Sequence, residues 1–236
     1  MAKKFLIVCG GLLILVFVIL VFPSNVPSGN EANLQSNYVT INLPAVDVAG
    51  NGQIAKLTVR SESGNGKILT NINQISFWID TQDSIRTAEL VAKNITRKGL
   101  SNIDLVYNIE TNAPVIEGPS GGAALAIATV ALLENKTLNQ SVMITGTINS
   151  DGTIGQVGSV LEKAKVAKYT GATLFLVPVG EGYENNFLPE KTCTQYGSVT
   201  FCSTKYKTQT IDISKEVGIQ VVEVANVNDA LKYFVS

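Results

Sequence analysis

The sequence predicts an α+β domain preceded by one transmembrane helix. Three observations carry that expectation. Residues 5–22 run without a charge or a proline. Residues 38–48 and 53–61 alternate apolar and polar side chains around Gly50-Asn51-Gly52, which is a hairpin pattern. Residues 123–133 are apolar on every face and rich in alanine, so a helix there has to be buried by other elements.

The N-terminal run sets the organisation of the chain. At 1.5 Å per residue it is about 27 Å long, near the hydrocarbon thickness of a bilayer. Lys3 and Lys4 precede it, and no further Lys or Arg occurs before Lys56. The excess of positive charge on the N-terminal side places residues 1–4 in the cytoplasm as a stub, with the rest outside. A cleaved signal peptide is the rival reading, but its apolar core is usually shorter and no A-x-A-like site follows Phe22. Residues 23–37 are polar and lack periodicity, as a tether does. Residues 38–236 form the domain. Sequons at Asn94, Asn135 and Asn139 fit an exported domain, though such triplets also arise by chance.

Within the domain, residues 67–72 read as a third strand. Residues 81–98 carry Ile85, Ala88, Leu90, Ala92 and Ile95 at helical spacing, with Lys93, Arg97 and Lys98 in the last turns and Gly99 as the stop. Residues 103–109 follow as a strand. The buried helix 123–133 comes next, then a strand over 142–148. Ser159-Val160-Leu161-Glu162 has the form of a capping box and opens a helix over 159–169. Strands over 172–178 and 219–224 and a helix over 229–234 complete the domain. Residues 180–203 are polar and turn-rich, and read as a surface insertion. Its cysteines, Cys193 and Cys202, flank a turn at Gln195-Tyr196-Gly197-Ser198, a spacing suited to a cross-hairpin disulfide in an oxidising compartment; two free thiols are the alternative. Strands and helices mix without a strict βαβ repeat, hence the α+β class.

Composition narrows the chemistry. The 236 residues contain no histidine. That excludes Ser-His-Asp and Cys-His mechanisms and any His-ligated zinc site. Net charge is −1 with no basic run, which leaves nucleic acid without an electrostatic footprint. No cofactor is expected.

Ser120 lies between Gly118-Pro119 and Gly121-Gly122 at the mouth of the buried helix. The first-turn amides of a helix lack intrahelical partners, and the dipole is positive there, so an oxyanion can be held beside the hydroxyl. The plainer alternative is a serine acting as N-cap. Lys163 falls about one turn into the helix 159–169, at the edge of a stripe of Val160, Ala164, Ala167 and Gly171, whereas Lys165 and Lys168 point away. Desolvation and the dipole both disfavour an ammonium at that place. The alternative is a lysine whose stem lies on the apolar edge while its charge reaches water. Taken together, the two residues solve the problem left by the absent histidine, since a neutral amine can take the serine proton and return it to the leaving amine.

The segments EGPSGGAALA around Ser120 and ITGTINSDGTIGQVGSVLEKAKVA over 144–167 resemble the proteolytic domain of Lon proteases, in that family's order and separation. The resemblance extends from Tyr38 to the end. It implies Ser120 as nucleophile, Lys163 as base, and Thr145 as a residue that positions the dyad by hydrogen bonding, with Glu117, Gly118 and Gly121 in support. It implies the fold related to the second domain of ribosomal protein S5, and makes a ring of six copies a fair expectation. Many members carry Asp where this chain has Glu117, and Ala where it has Gly121 or Gly122. No G-x-x-x-x-G-K-[ST] phosphate loop occurs in these residues, so no use of ATP is expected. The expected function is a membrane-anchored, ATP-independent serine endopeptidase acting on peptides or unfolded proteins at a lipid surface. A non-catalytic Lon-like domain that assembles or binds partners is the alternative. A signal-peptidase-like enzyme is disfavoured, because that family is largely β.

Overall fold

The computed structural model describes residues 38–71, 79–111 and 118–235. The stub, the anchor at 5–22, the linker at 23–37 and Glu117 lie outside the described residues. No helix among the described residues is long and apolar enough to cross a membrane.

The first sheet follows from the alternation in the sequence. Strand β1 (Tyr38–Val46) pairs antiparallel with β2 (Gly52–Ser63). The turn between them is closed by Asp47, whose Oδ1 accepts the amides of Ala49 and Asn51, each at 2.9 Å. Val39, Ile41 and Leu43 from β1 and Ala55, Leu57 and Val59 from β2 face the same core. Strand β3 is short (Ile68–Thr70). Helix α1 (Ile79–Thr96) buries Ser84, Ile85, Ala88, Val91 and Ala92 at three- and four-residue spacing. It stops at Arg97, which takes the left-handed conformation (φ 55°), so the helix ends before the expected Gly99. Strand β4 (Ile103–Thr111) pairs antiparallel with β2 and parallel with β3, giving the order β1-β2-β4-β3.

A 3-10 turn (Pro119–Gly121) leads into α2 (Gly122–Glu134). Every residue of α2 before Glu134 is buried. Its one buried hydroxyl, Thr129, gives its proton to the Leu125 carbonyl at 2.7 Å. Tyr107 of β4 must then be the donor in its 2.9 Å bond to Thr129 Oγ1. Burial holds that phenol well above its ordinary range.

The strand expected over 142–148 is broken. It forms β5 (Val142–Ile144) and β6 (Thr147–Ile148), and the intervening Thr145-Gly146 turns aside to bond the segment around Ser120. Strand β7 (Ile154–Gly155), unforeseen, closes a small hairpin with β6. Helix α3 (Val160–Tyr169) is followed by β8 (Leu174–Pro178), which pairs parallel with β5.

The expected insertion is longer and more regular than its composition suggests. Strands β9 (Tyr183–Tyr196) and β10 (Val199–Asp212) form an antiparallel hairpin in which nearly every residue is exposed. Cys193 and Cys202 face each other across it and are bonded, with Cα atoms 4.0 Å apart. A short helix α4 (Ile213–Val217), also unforeseen, returns the chain to β11 (Gln220–Val224), parallel to β8 in a sheet ordered β11-β8-β5. Helix α5 (Val227–Phe234) closes the domain, capped by Asn226, whose side chain accepts the Asp229 amide at 2.9 Å.

Candidate active site

Ser120 occupies the 3-10 turn that leads into the core helix. Gly118 opens the turn at φ 91°, a conformation that favours glycine. Gly122 is required by close approach, because a Cβ there would lie 2.7 Å from Ile148 Cγ2 and 2.9 Å from the Ile148 amide nitrogen. Gly121 has no such constraint: its added Cβ would meet only Leu43 Cδ1 at 3.8 Å, an ordinary contact.

The Ser120 hydroxyl does not cap α2, which has no side-chain cap. The residue is instead held through its backbone. Its carbonyl accepts the Gly146 amide at 2.9 Å and the Thr145 hydroxyl at 3.4 Å, while the Gly146 carbonyl accepts the Ala123 amide at 3.0 Å. Thr145 is fully buried, and its own amide bonds the Leu176 carbonyl of β8 at 3.1 Å. Thr145 thus acts on the backbone of Ser120 rather than on a side chain of the pair. Two amides expected to line an oxyanion hole are engaged inside the chain: Gly122 donates to the Pro119 carbonyl, and Ala123 to Gly146. Any oxyanion donors are therefore to be sought before Gly122.

Lys163 sits in α3 with 3% of its surface exposed. Val160, Ala164 and Ala167 of the same helix join Met143, Phe175 and Val177 in an apolar cluster. Lys165 and Lys168 are exposed, and Lys165 pairs with Glu162 at 2.7 Å. Burial pulls Lys163 down from 10.5 to about 8, against the opposing field of the Glu181 carboxylate.

The capping box expected at Ser159 does not form. Ser159 is left-handed (φ 58°) and its side chain caps nothing. Glu162 cannot reach back while it pairs with Lys165. The hairpin satisfies this segment instead: Glu181 Oε1 accepts the Val157 amide at 2.8 Å, and Glu184 Oε2 accepts the Leu161 amide at 3.0 Å. Motif reading missed both glutamates, since nothing local in the sequence links them to α3.

The structure ties Ser120, Thr145, Gly118 and Gly121 into one unit by covalent and hydrogen bonds. Lys163 reaches the neighbourhood through β1, which packs against both the Ser120 turn and α3. Among the described residues, no hydrogen bond joins the Ser120 hydroxyl to the Lys163 amine. Catalytic hydrogen bonds often shorten only when substrate is bound.

Comparison with known proteins fits this arrangement. Residues 78–210 match the Lon protease (S16) C-terminal proteolytic domain, a span that contains Ser120, Thr145, Lys163 and all but the last two residues of the hairpin. An archaeal Lon protease of Thermoplasma volcanium is 28% identical over 127 residues, covering 53% of this chain and 19% of that protein. One from Thermoplasma acidophilum is 27% identical over 145 residues, covering 61% and 20%. Lon protease 2 of Bacillus subtilis is 34% identical over 82 residues, covering 34% and 14%. The chain thus spans about a fifth or less of the length of these relatives. The match extends over more than half of this chain, and the protein belongs to the Lon protease (S16) C-terminal proteolytic domain family, whose members are serine-type peptidases built on a Ser-Lys dyad.

Proposed function

We propose that this protein is a serine endopeptidase in which Ser120 attacks the scissile carbonyl and Lys163 is the general base. The buried, easily deprotonated lysine is the observation that carries the reading. In a chain without histidine, an amine with a value of about 8 is a base matched to near-neutral work. The neutral amine takes the Ser120 proton as the Oγ–carbon bond forms. The resulting ammonium then protonates the leaving amine as the peptide bond breaks, and water later releases the acyl group. Thr145 and Gly146 hold the nucleophile's backbone in place during these steps.

The substrates we propose are peptides and unfolded proteins, cut without ATP. Residues 5–22 would hold the domain at a membrane with the dyad outside, and copies would assemble, on the ring pattern that the family resemblance suggests. The length and lack of charge of that run support the anchor. Residue pairing in a decayed site is under no pressure to persist, so the presence of both Ser120 and a buried Lys163 favours catalysis over a purely assembling role.

Hydrolysis of unfolded casein by the full chain in detergent, without nucleotide, tests the reading. Ser120→Ala and Lys163→Ala should each lower the rate by about 10⁴-fold while the melting temperature of Ser120→Ala stays at the wild-type value. Equal activity in the three proteins removes the dyad. A fluorophosphonate probe should label only protein that retains Ser120.

A further inference from the structure

The root of the β9–β10 hairpin is held in an unusual way. The Glu223 carboxylate of β11 accepts the Gly180 amide through Oε2 at 2.9 Å and the Gly182 amide through Oε1 at 3.0 Å. The intervening Glu181 donates its own amide to the Pro178 carbonyl at 3.1 Å. With its backbone fixed on both sides, Glu181 turns its carboxylate under the start of α3. Oε1 accepts the Val157 amide, whereas Oε2 is buried and has no hydrogen-bond partner. It is the one such side-chain atom among the described residues. A buried carboxylate oxygen without a donor is costly and calls for a reason.

Lys163 supplies one. The carboxylate of Glu181 is the charged group acting on the buried amine, and it favours the ammonium. In return Glu181, pushed up by burial, is drawn down by the Val157 amide and by Lys163, with neighbouring Glu184 acting the other way. Lys163 is buried and forms no ion pair within the described residues, so no other carboxylate competes for its amine.

We propose that Glu181 is the positioning residue for the Lys163 amine: Oε2 accepts one Nζ–H of the lysine in the working enzyme, which turns the nitrogen lone pair toward Ser120 Oγ. The inference rests on the Ser-Lys reading and extends it, giving the base the third, orienting group that nucleophile-base pairs commonly have. When Lys163 takes the serine proton, the same carboxylate faces the new ammonium and steadies it until the proton passes to the leaving amine. No atom is exchanged with Glu181. A merely structural Glu181 would do no more than satisfy the Val157 amide, and glutamine does that equally well.

That difference makes the test. Hydrolysis of unfolded casein by the full chain is followed across the neutral to alkaline range for wild type, Glu181→Gln, Glu181→Asp and Glu184→Gln, with melting temperatures in parallel. Glu181→Gln keeps an acceptor for Val157 and loses the charge. Its activity limb should move to lower pH by about one unit, the low end for losing a nearby opposite charge. Its kcat should fall about a hundredfold with KM unchanged, the scale of a misplaced catalytic group. Glu181→Asp should restore the midpoint and part of kcat. Glu184→Gln, which touches the same hairpin root but does not act on Lys163, should leave the midpoint where it is. A Glu181→Gln limb at the wild-type midpoint overturns the inference, whether or not kcat falls. If Ser120→Ala or Lys163→Ala hydrolyses casein at the wild-type rate, the dyad reading fails and takes this one with it. If both are dead while the Glu181→Gln limb does not move, only the role of Glu181 is lost.

Discussion

Helix α2 and the β9–β10 hairpin are opposite solutions to the problem of keeping a segment ordered. The helix is buried on every face and owes its place to apolar packing, with Thr129 and Tyr107 satisfying each other inside. The hairpin is exposed along nearly its whole length, and carries Phe187, Leu188, Tyr196, Phe201 and Tyr206 in water. An isolated two-stranded ribbon is marginal at best, and here it is stapled by Cys193–Cys202 and pinned at its root by Glu223. Ser120, the proposed nucleophile, stands at the mouth of the first kind of segment. Lys163, the proposed base, lies in a helix whose approach and first turn are bonded from the second, through Glu181 to the Val157 amide and Glu184 to the Leu161 amide.

The comparison is broken most forcefully in the core. Leu125→Ala opens space in a helix with no solvent face and should cost about 2–5 kcal/mol of unfolding free energy, read by denaturant melts. A smaller loss would mean that α2 is not the centre of the fold.

Lys163 is the one buried charged side chain among the described residues. Its folded value of about 8 lies below the ordinary 10.5. Below pH 8 the folded state carries the full penalty of a buried ammonium. Between about pH 8 and 10.5 the unfolded chain binds more protons than the folded one, so stability rises with pH. Lys163→Met should therefore stabilise the protein by up to about 3 kcal/mol at neutral pH, with the gain fading between about pH 8 and 10.5, while hydrolysis is lost. A destabilised Lys163→Met at neutral pH would contradict the desolvation argument.

The exposed half should respond differently. Cys193→Ser with Cys202→Ser should leave the main melting transition within about 0.5 kcal/mol of wild type, because the hairpin adds little to the core. Proteolytic nicking between β9 and β10 should quicken, which mass spectrometry of digests would show. A large drop in melting temperature would instead join the hairpin to the core's cooperative unit. The smallest effect belongs to Lys165→Ala, whose pair with Glu162 is open to solvent and contributes about 0.3–0.5 kcal/mol.

The sequence made the buried parts legible. Period-two alternation located β1 and β2, and an unbroken apolar run located α2, because one-sided or complete burial leaves a pattern in composition. The hairpin left one only at its tip, where Cys193 and Cys202 marked the turn and the bridge across it. With both faces in water its strands need no alternation, and its polar residues read as loop. Local motifs also misled where tertiary bonds take over. Ser159 and Glu162 have the letters of a capping box, yet Glu184 from the hairpin supplies the acceptor. Ser120 and Lys163 were visible through a family resemblance. Glu181 was not, because its importance comes from lying under α3, a relation that no spacing along the chain encodes.

The splice at Gly146 has a mechanical consequence. Its amide grips the Ser120 carbonyl and its carbonyl grips the Ala123 amide, while the adjoining Thr145 is fastened to β8. Displacing Ser120 would mean shearing a parallel sheet and the central helix as one block. A lysine on a flexible stem, seated where the chain meets a cantilevered ribbon, is far cheaper to move. On the proposed dyad, any adjustment would therefore fall to the lysine, with the serine as the stationary reference against which the amine is aimed.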